Sequence, residues 1–118
     1  MVRLIGTVLV ATFATLLGAC GGSALPPARI ADTQSAISAA AAVGADNNPQ
    51  AALHLKMARD QLKQAQALVN DGKDDEARLV LERANADAEV ALMITRETVA
   101  TANARKAEAE VQNLGTKN

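Results

Sequence analysis

The 118-residue chain is almost devoid of aromatic residues: it has no Trp, no Tyr and a single Phe, Phe13. It also has only one Cys and one His. Without aromatic side chains, the chain lacks platforms on which bases or sugars could stack, and it has little bulk for a compact core. The formal net charge of −1 provides no basic excess, whereas nucleic-acid-binding domains carry a basic patch. These absences argue against an enzyme and against a nucleic-acid partner.

Alanine is abundant instead, with 27 copies, of which 24 follow Cys20. Only 20 residues beyond Cys20 are Leu, Ile, Val or Met. Beyond Cys20, alanine methyl groups therefore outnumber the larger apolar side chains, and they bury little area per residue. Alanine has the highest helix propensity. The composition predicts helices that pack closely around a thin core.

Residues 1–19 have the features of an export signal. Arg3 provides a positive start, an apolar run extends from Leu4 to Leu17, and small residues follow at Gly18 and Ala19. The run is short for a membrane span, which needs about 20 apolar residues.

The end of this segment, Leu17-Gly18-Ala19-Cys20, resembles the bacterial lipobox, in which signal peptidase II cuts before the cysteine. The resemblance implies that the Cys20 thiol carries a diacylglycerol group and that its freed amine is acylated, so that lipid anchors the chain in a membrane. Gly21 stands where the inner-membrane retention signal of enterobacteria has Asp, which implies transfer to the outer membrane, facing the periplasm. The alternatives are an ordinary secretory signal that leaves a free thiol, and an uncleaved anchor.

Residues 20–27 are predicted to form a lipidated, flexible tether, because two glycines and Ser23 precede Pro26 and Pro27. Residues 28–114 are predicted to form one alanine-rich helical domain, and residues 115–118 a polar tail.

Helix-terminating residues divide this domain into three helices, and no alternating apolar run indicates a strand. The first helix is expected from about Ala28 to Val43, ending at Gly44. The second begins after Asn48, an N-cap residue followed by Pro49, and ends near Asn70. The third begins at Asp74 or Asp75, after the turn at Gly72, and ends near Asn113.

Heptad-like spacing indicates which faces meet. The second and third helices each carry apolar residues in alternating steps of three and four, and their short connection makes them antiparallel neighbours. The predicted packing residues are Ala51, Leu55, Ala58, Leu62, Ala65 and Val69 in the second helix, and Ala77, Leu81, Ala84, Ala88 and Ala91 in the third. The predicted fold is an all-α antiparallel hairpin with a shorter N-terminal helix folded over its turn end.

The third helix is too long for its partner, so residues from about Thr95 to Leu114 should overhang. This segment has its own apolar spacing, which makes it a candidate partner surface: Ala100, Ala104, Ala107, Val111 and Leu114. One interpretation is self-association or binding of a partner helix. The other is a solvated helix supported by pairs such as Lys106–Glu110, which contribute about 0.2–0.5 kcal/mol each.

No catalytic, metal or cofactor site is predicted. The acidic residues Asp71, Asp74, Asp75 and Glu76 lack the spacing of a calcium loop and are explained by the start of a helix. His54 has no ligand partners nearby in sequence and is expected to be a partly exposed helix residue.

Two weak resemblances concern the helices and the C-terminus. The spacing of Gly72, Ala77, Leu81 and Ala84 is similar to the second half of a tetratricopeptide repeat, although a single hairpin would need other chains to complete a peptide groove. Lys117 is similar to the terminal lysine that joins the murein lipoprotein to peptidoglycan, but Asn118 follows it, so peptidoglycan contact is unsupported.

A broader resemblance covers residues 28–106. Ile37 to Ala45, Pro49, and the spaced residues Ala58, Leu62 and Ala65 resemble a family of alanine-rich domains of unknown function in bacterial lipoproteins. The run from Gly72 to Ala77, followed by Ala84, Ala88 and Ala91, fits the same family. Members occur alone or ahead of OmpA-type domains, and the resemblance implies a fold and a location but no activity.

The sequence therefore predicts a non-catalytic outer-membrane lipoprotein that presents a helical interaction domain to the periplasm. The alternatives are an oligomeric spacer resembling the murein lipoprotein and a tetratricopeptide-like module that binds peptides.

Overall fold

The computed structural model describes residues 23–116, which form helices and no strands. Helix α1 spans Pro27–Ala42, a short 3-10 helix spans Ala45–Asn47, α2 spans Pro49–Asn70 and α3 spans Asp74–Gly115. The all-α prediction is confirmed, and each helix boundary lies within about two residues of the expected position. Among these helices, none combines the length and the apolar character that a bilayer span requires.

The turns use the residues that the sequence indicated. The Asn48 side-chain oxygen accepts hydrogen bonds from the backbone N–H groups of Gln50 and Ala51, at 2.9 and 3.1 Å, and thereby caps α2. Gly72 adopts a φ of 73° after the end of α2, and the following N–H of Lys73 donates to the Leu68 carbonyl at 2.8 Å. This left-handed glycine reverses the chain, so that α3 returns along α2.

The hairpin core is built from the predicted seam. Its alanines are completely buried, and Leu55 is the largest side chain that is fully buried in the described residues. Val69, expected in the seam, is only half-buried near the turn. Small side chains at the contact allow the two helix backbones to approach closely. The buried seam residues are Ala51, Leu55, Ala58, Leu62, Ala65, Ala77, Leu81, Ala84, Ala88 and Ala91.

Helix α1 packs across one flank of the hairpin, more against α3 than against α2. Its N-terminal end lies beside the start of α3, where an Arg29 guanidinium nitrogen approaches a Glu82 carboxylate oxygen at 3.8 Å. Its buried side chains are Thr33, Ile37 and Ala40. Helix α1 therefore starts at the turn end of the hairpin, where it was expected, but it continues parallel to the first half of α3 toward the open end, where α2 begins.

The segment before α1 is attached to the body more firmly than the tether prediction implied. Leu25 is only 8% exposed, and its N–H donates to an Asp74 carboxylate oxygen at 3.3 Å. An Arg78 N–H also donates to the Ser23 carbonyl at 3.1 Å. Pro27 already belongs to α1. The tether expected up to residue 27 must therefore end before Ser23, because burial of Leu25 holds the chain against α3.

Candidate interaction surface

The end of α3 extends beyond the rest of the fold. The last cross-helix hydrogen bond joins the Asn48 amide nitrogen to the Thr98 hydroxyl at 3.0 Å, and every residue from 96 to 116 is exposed. The overhang therefore starts after Thr98. The sequence placed its start at about Thr95, but Thr95 is 4% exposed and donates its hydroxyl to the Ala91 carbonyl at 2.8 Å.

The five residues predicted as a partner surface all lie on this overhang and are exposed: Ala100, Ala104, Ala107, Val111 and Leu114. Val111 and Leu114 are 68% and 62% exposed, so they are covered by nothing in the described part of the chain. The pair expected between Lys106 and Glu110 is not formed, because no ion pair within residues 23–116 lies beyond Asp87. The described part of the overhang is therefore exposed throughout and contains no ion pair.

This apolar surface does not continue the seam that packs against α2. The last buried seam residue is Thr95, and the first residue of the predicted partner surface, Ala100, follows five residues later. Since each residue turns an α-helix by about 100°, the overhang surface lies roughly 135° around the helix from the buried seam. It therefore faces away from α2.

The same outer face also carries apolar residues alongside the helical bundle, which the sequence prediction missed. Leu79 and Met93 are 58% and 67% exposed, and they precede Ala100 by multiples of seven residues. We call the whole set the outer stripe; it consists of Leu79, Ala86, Val90, Met93, Ala100, Ala104, Ala107, Val111 and Leu114. The signal was present in the sequence, because these residues follow one heptad phase that only Arg83 and Glu97 interrupt.

A polar cluster lies on the flank of the hairpin that α1 leaves uncovered. The Asp87 carboxylate lies 2.9 Å from the His54 Nδ1 and accepts a hydrogen bond of 2.9 Å from the Gln61 amide nitrogen. Asn85 of α3 lines the cleft beside α1, and Asp87 lies about 200° around the helix from it. The cluster is therefore on the side of α3 that faces away from α1. The His54 side chain is 28% exposed, which agrees with the expected partly exposed histidine. Its partner Asp87 could not be recognised from local spacing, because it lies on another helix, 33 residues away.

This cluster links α2 to α3 through side-chain hydrogen bonds. The described residues contain no group of three His, Cys, Asp or Glu side chains that could hold a metal ion. The Gln61 amide oxygen is buried and has no hydrogen-bond partner within the described part of the chain. The acidic group at the start of α3 is engaged structurally, since Asp74 accepts from Leu25 and Asp75 lies 4.0 Å from Arg78.

A cleft of 270 Å³ lies between α1 and α3 and is lined mainly by polar side chains. Its charged residues Arg29 and Glu82 form an exposed pair across it. Ligand pockets are usually concave, mostly apolar and larger. This cleft therefore offers no site for a small apolar molecule.

Surface charges of α2 form local pairs. Arg59 lies 3.1 Å from Asp46, and Lys56 lies 2.6 Å from Asp60 one helical turn away. The hydrogen bond and the charge of Lys56 lower the pKa of the exposed Asp60 carboxyl. The first pair joins α2 to the short 3-10 helix, and the second lies within one turn of α2.

The family of the chain follows from its match to a known sequence family. The model of the domain of unknown function DUF4398 matches residues 28–114, which is most of the chain and all three helices. The chain belongs to the DUF4398 family. No curated protein and no solved structure matches it significantly. The DUF4398 match agrees with the predicted domain of unknown function.

Several predicted functional residues lie outside the described part of the DUF4398 protein. These are the signal and lipidation residues Leu17, Gly18, Ala19, Cys20 and Gly21, and also Lys117 and Asn118. The expected polar tail is partly helical, since Gly115 belongs to α3 and the Thr116 N–H donates to the Gln112 carbonyl at 3.1 Å.

Proposed function

We propose that this DUF4398 protein is a non-catalytic lipoprotein, anchored through lipid on Cys20 in the outer membrane, that presents a helical interaction module to the periplasm. Its role is in the structure or assembly of the cell envelope. The observation that carries the interaction role is the exposed outer stripe, which extends along the bundle and the overhang. A contiguous exposed apolar surface is typical of a protein-binding site.

The position of the chain's start supports this proposal. Ser23 contacts Arg78 near the beginning of α3, so the chain enters the fold at the end opposite the overhang. Helix α3 has 42 residues and spans about 63 Å. Only two residues separate Cys20 from Ser23. A lipid on Cys20 would therefore hold the turn end of the hairpin near the membrane, with the overhang at the far end of α3.

The anchoring is tested by replacing Cys20 with Ala in the full chain and following its size and its membrane fraction in bacterial cells. We expect the variant to remain unprocessed and to lack lipid, because lipidation needs the thiol. Ser23→Ala is the matched control and should behave as the unaltered chain. Unchanged size and membrane association of Cys20→Ala would contradict the anchor.

The interaction role is tested with a photo-crosslinking amino acid at Ala104 in the outer stripe. The control position is Ala102, which lies on the same turn of α3 but about 200° around the helix. We expect protein adducts from position 104 and few from position 102. Equal labelling at the two positions would show that the outer stripe has no special role.

A spacer built from several copies, resembling the murein lipoprotein, is the second candidate, and the length of the exposed overhang favours it. Sedimentation of the lipid-free polypeptide distinguishes the two. A helical trimer would support the spacer and contradict a monomeric adaptor, whereas a monomer at tens of micromolar would exclude the spacer.

A further inference from the structure

We propose that the outer stripe binds a second copy of this chain in an antiparallel two-helix contact centred near Ala102, with Arg96 of each copy beside Glu110 of the other. This inference names the partner for the interaction role proposed above and does not depend on the lipid anchor.

The outer stripe has the pattern of a coiled-coil seam. Steps of four and three residues extend from Leu79 to Leu114 when the charged positions Arg83 and Glu97 are included, and all stripe residues are exposed. Helices with this repeat bury it by packing against a second helix with the same repeat. Helices α1 and α2 contact other faces of α3, so no helix of the described chain occupies the stripe. A second α3 is the partner whose repeat necessarily matches.

Charge excludes a parallel pair. Two seam positions carry charged residues, Arg83 and Glu97. In a parallel, in-register pair, each of these residues would face the same residue of the second copy. Two like charges would therefore meet at both positions of the seam. The flanking residues add a third conflict, because Glu82 would lie beside Asp87 of the other copy. Like charges at such positions are destabilising.

Charge also selects one antiparallel register. If two antiparallel stripes overlapped along their full length, Arg96 of one copy would lie beside Arg96 of the other, and Glu82 beside Glu110. Both pairs bring like charges together. A shift of one heptad would place Glu89 against Glu110. A shift of two heptads instead places Arg96 beside Glu110 of the second copy, and the two-fold symmetry forms this pair twice. In residues 23–116 neither side chain has an ion-pair partner.

The selected register also matches the apolar residues. Val90 faces Leu114 of the second copy, and Met93 faces Val111, so the four most bulky residues of this segment cover one another. Ala100 and Ala104 meet near the centre, where small side chains permit close approach. The charged Arg83 lies outside the overlap. Glu97 faces only the methyl group of Ala107, which leaves its carboxylate room to reach water.

The overlap from residue 90 to residue 114 is about 37 Å long and about 10 Å wide, which corresponds to a small interface. Such a contact is weak in dilute solution. The two turn ends lie about 84 Å apart in this contact, so copies anchored in one membrane would meet with α3 along its surface, at a raised effective concentration.

The contact is tested by disulfide crosslinking of the full chain in cells, with cysteine at Val90, at Leu114 or at both. We expect covalent dimers from the double variant and none from either single variant, since residues 90 and 114 are about 36 Å apart along one helix. Ala102→Cys is the control, because it lies at the level of the symmetry axis but on the opposite face. The chain without added cysteines shows any contribution from Cys20.

The register is tested by charge reversal in the double-cysteine background. Arg96→Glu and Glu110→Arg should each lower the dimer yield at least several-fold, and the combined exchange should restore it. Arg105→Glu, which makes the same charge change away from the stripe, should have little effect. Dimers from Val90→Cys alone would show a parallel pair, and absence of dimers from the double variant, or no restoration by the exchange, would overturn the proposal. Membrane fractionation of the same cells reports the anchor separately, so a failed dimer with an intact membrane fraction refutes this inference alone.

Discussion

The thin core makes the stability of the hairpin depend on few large side chains, and Leu55 is the most informative of them. It is completely buried, whereas Leu53 on the same helix is 57% exposed. Replacement of a buried Leu by Ala costs about 2–5 kcal/mol, because transfer energy is lost and a cavity remains. We expect about 3 kcal/mol for Leu55→Ala, a large share of the roughly 5–14 kcal/mol typical of a domain of this length.

Leu53→Ala is the matched control. It makes the same chemical change two residues away and gives the same small gain in helix propensity, so it should change stability by less than about 0.5 kcal/mol. Urea and thermal unfolding of residues 21–118, followed by circular dichroism at 222 nm, measure both variants. The expected loss for Leu55→Ala lowers Tm by roughly 12–24 °C. A difference below about 1 kcal/mol between the two variants would refute the view that the α2–α3 seam holds the fold.

Three further changes test other parts of the structure by the same unfolding measurement. Ala58→Leu should destabilise the fold by about 1–3 kcal/mol, because it overpacks a completely buried position. The control Ala67→Leu, on the exposed face of α2, should be nearly neutral, and equal effects of the two changes would argue against close helix contact. Asp87→Ala leaves the His54 and Gln61 side chains without their hydrogen-bond acceptor and should lower the free energy of unfolding by about 1–3 kcal/mol. The control Asp60→Ala, at an exposed position, should change it little, and a neutral Asp87→Ala would show that the cluster does not join the helices. Gly72→Ala should lower the free energy of unfolding by about 1–2 kcal/mol, because the backbone φ of Gly72 is 73°. The control Gly115→Ala, within α3, should not destabilise the fold, and a tolerated Gly72→Ala would contradict the left-handed turn.

The fold could be predicted from the sequence largely because its signals are local. Asn48, Gly72 and the prolines at the starts of α1 and α2 act within one turn, so they determine helix ends without reference to the rest of the chain. The seam was predictable because a repeat of three and four residues depends only on the geometry of one helix.

Contacts between distant parts of the chain were not predictable in this way. The burial of Leu25 depends on where α1 enters the fold, and the bond between His54 and Asp87 depends on the rotation of α2 against α3. The candidate site was only half recognised for a related reason. The predicted surface was limited to residues after Thr95, because only these were expected to extend beyond α2. Leu79 and Met93 lie beside the bundle, and their sequence positions were also compatible with its core; the structure places both on the outside.

The continuation of α3 past Thr98 has a consequence for its local stability. Residues beyond this point keep their helical form only through hydrogen bonds of the helix itself, which propagate from the packed part and are weakest at the free end. Backbone amide protons should therefore exchange with solvent faster toward residue 116, while those opposite Leu55 exchange only when the whole hairpin unfolds. A partner on the outer stripe would slow exchange in the overhang first, so the order of this segment reports the occupancy of the surface.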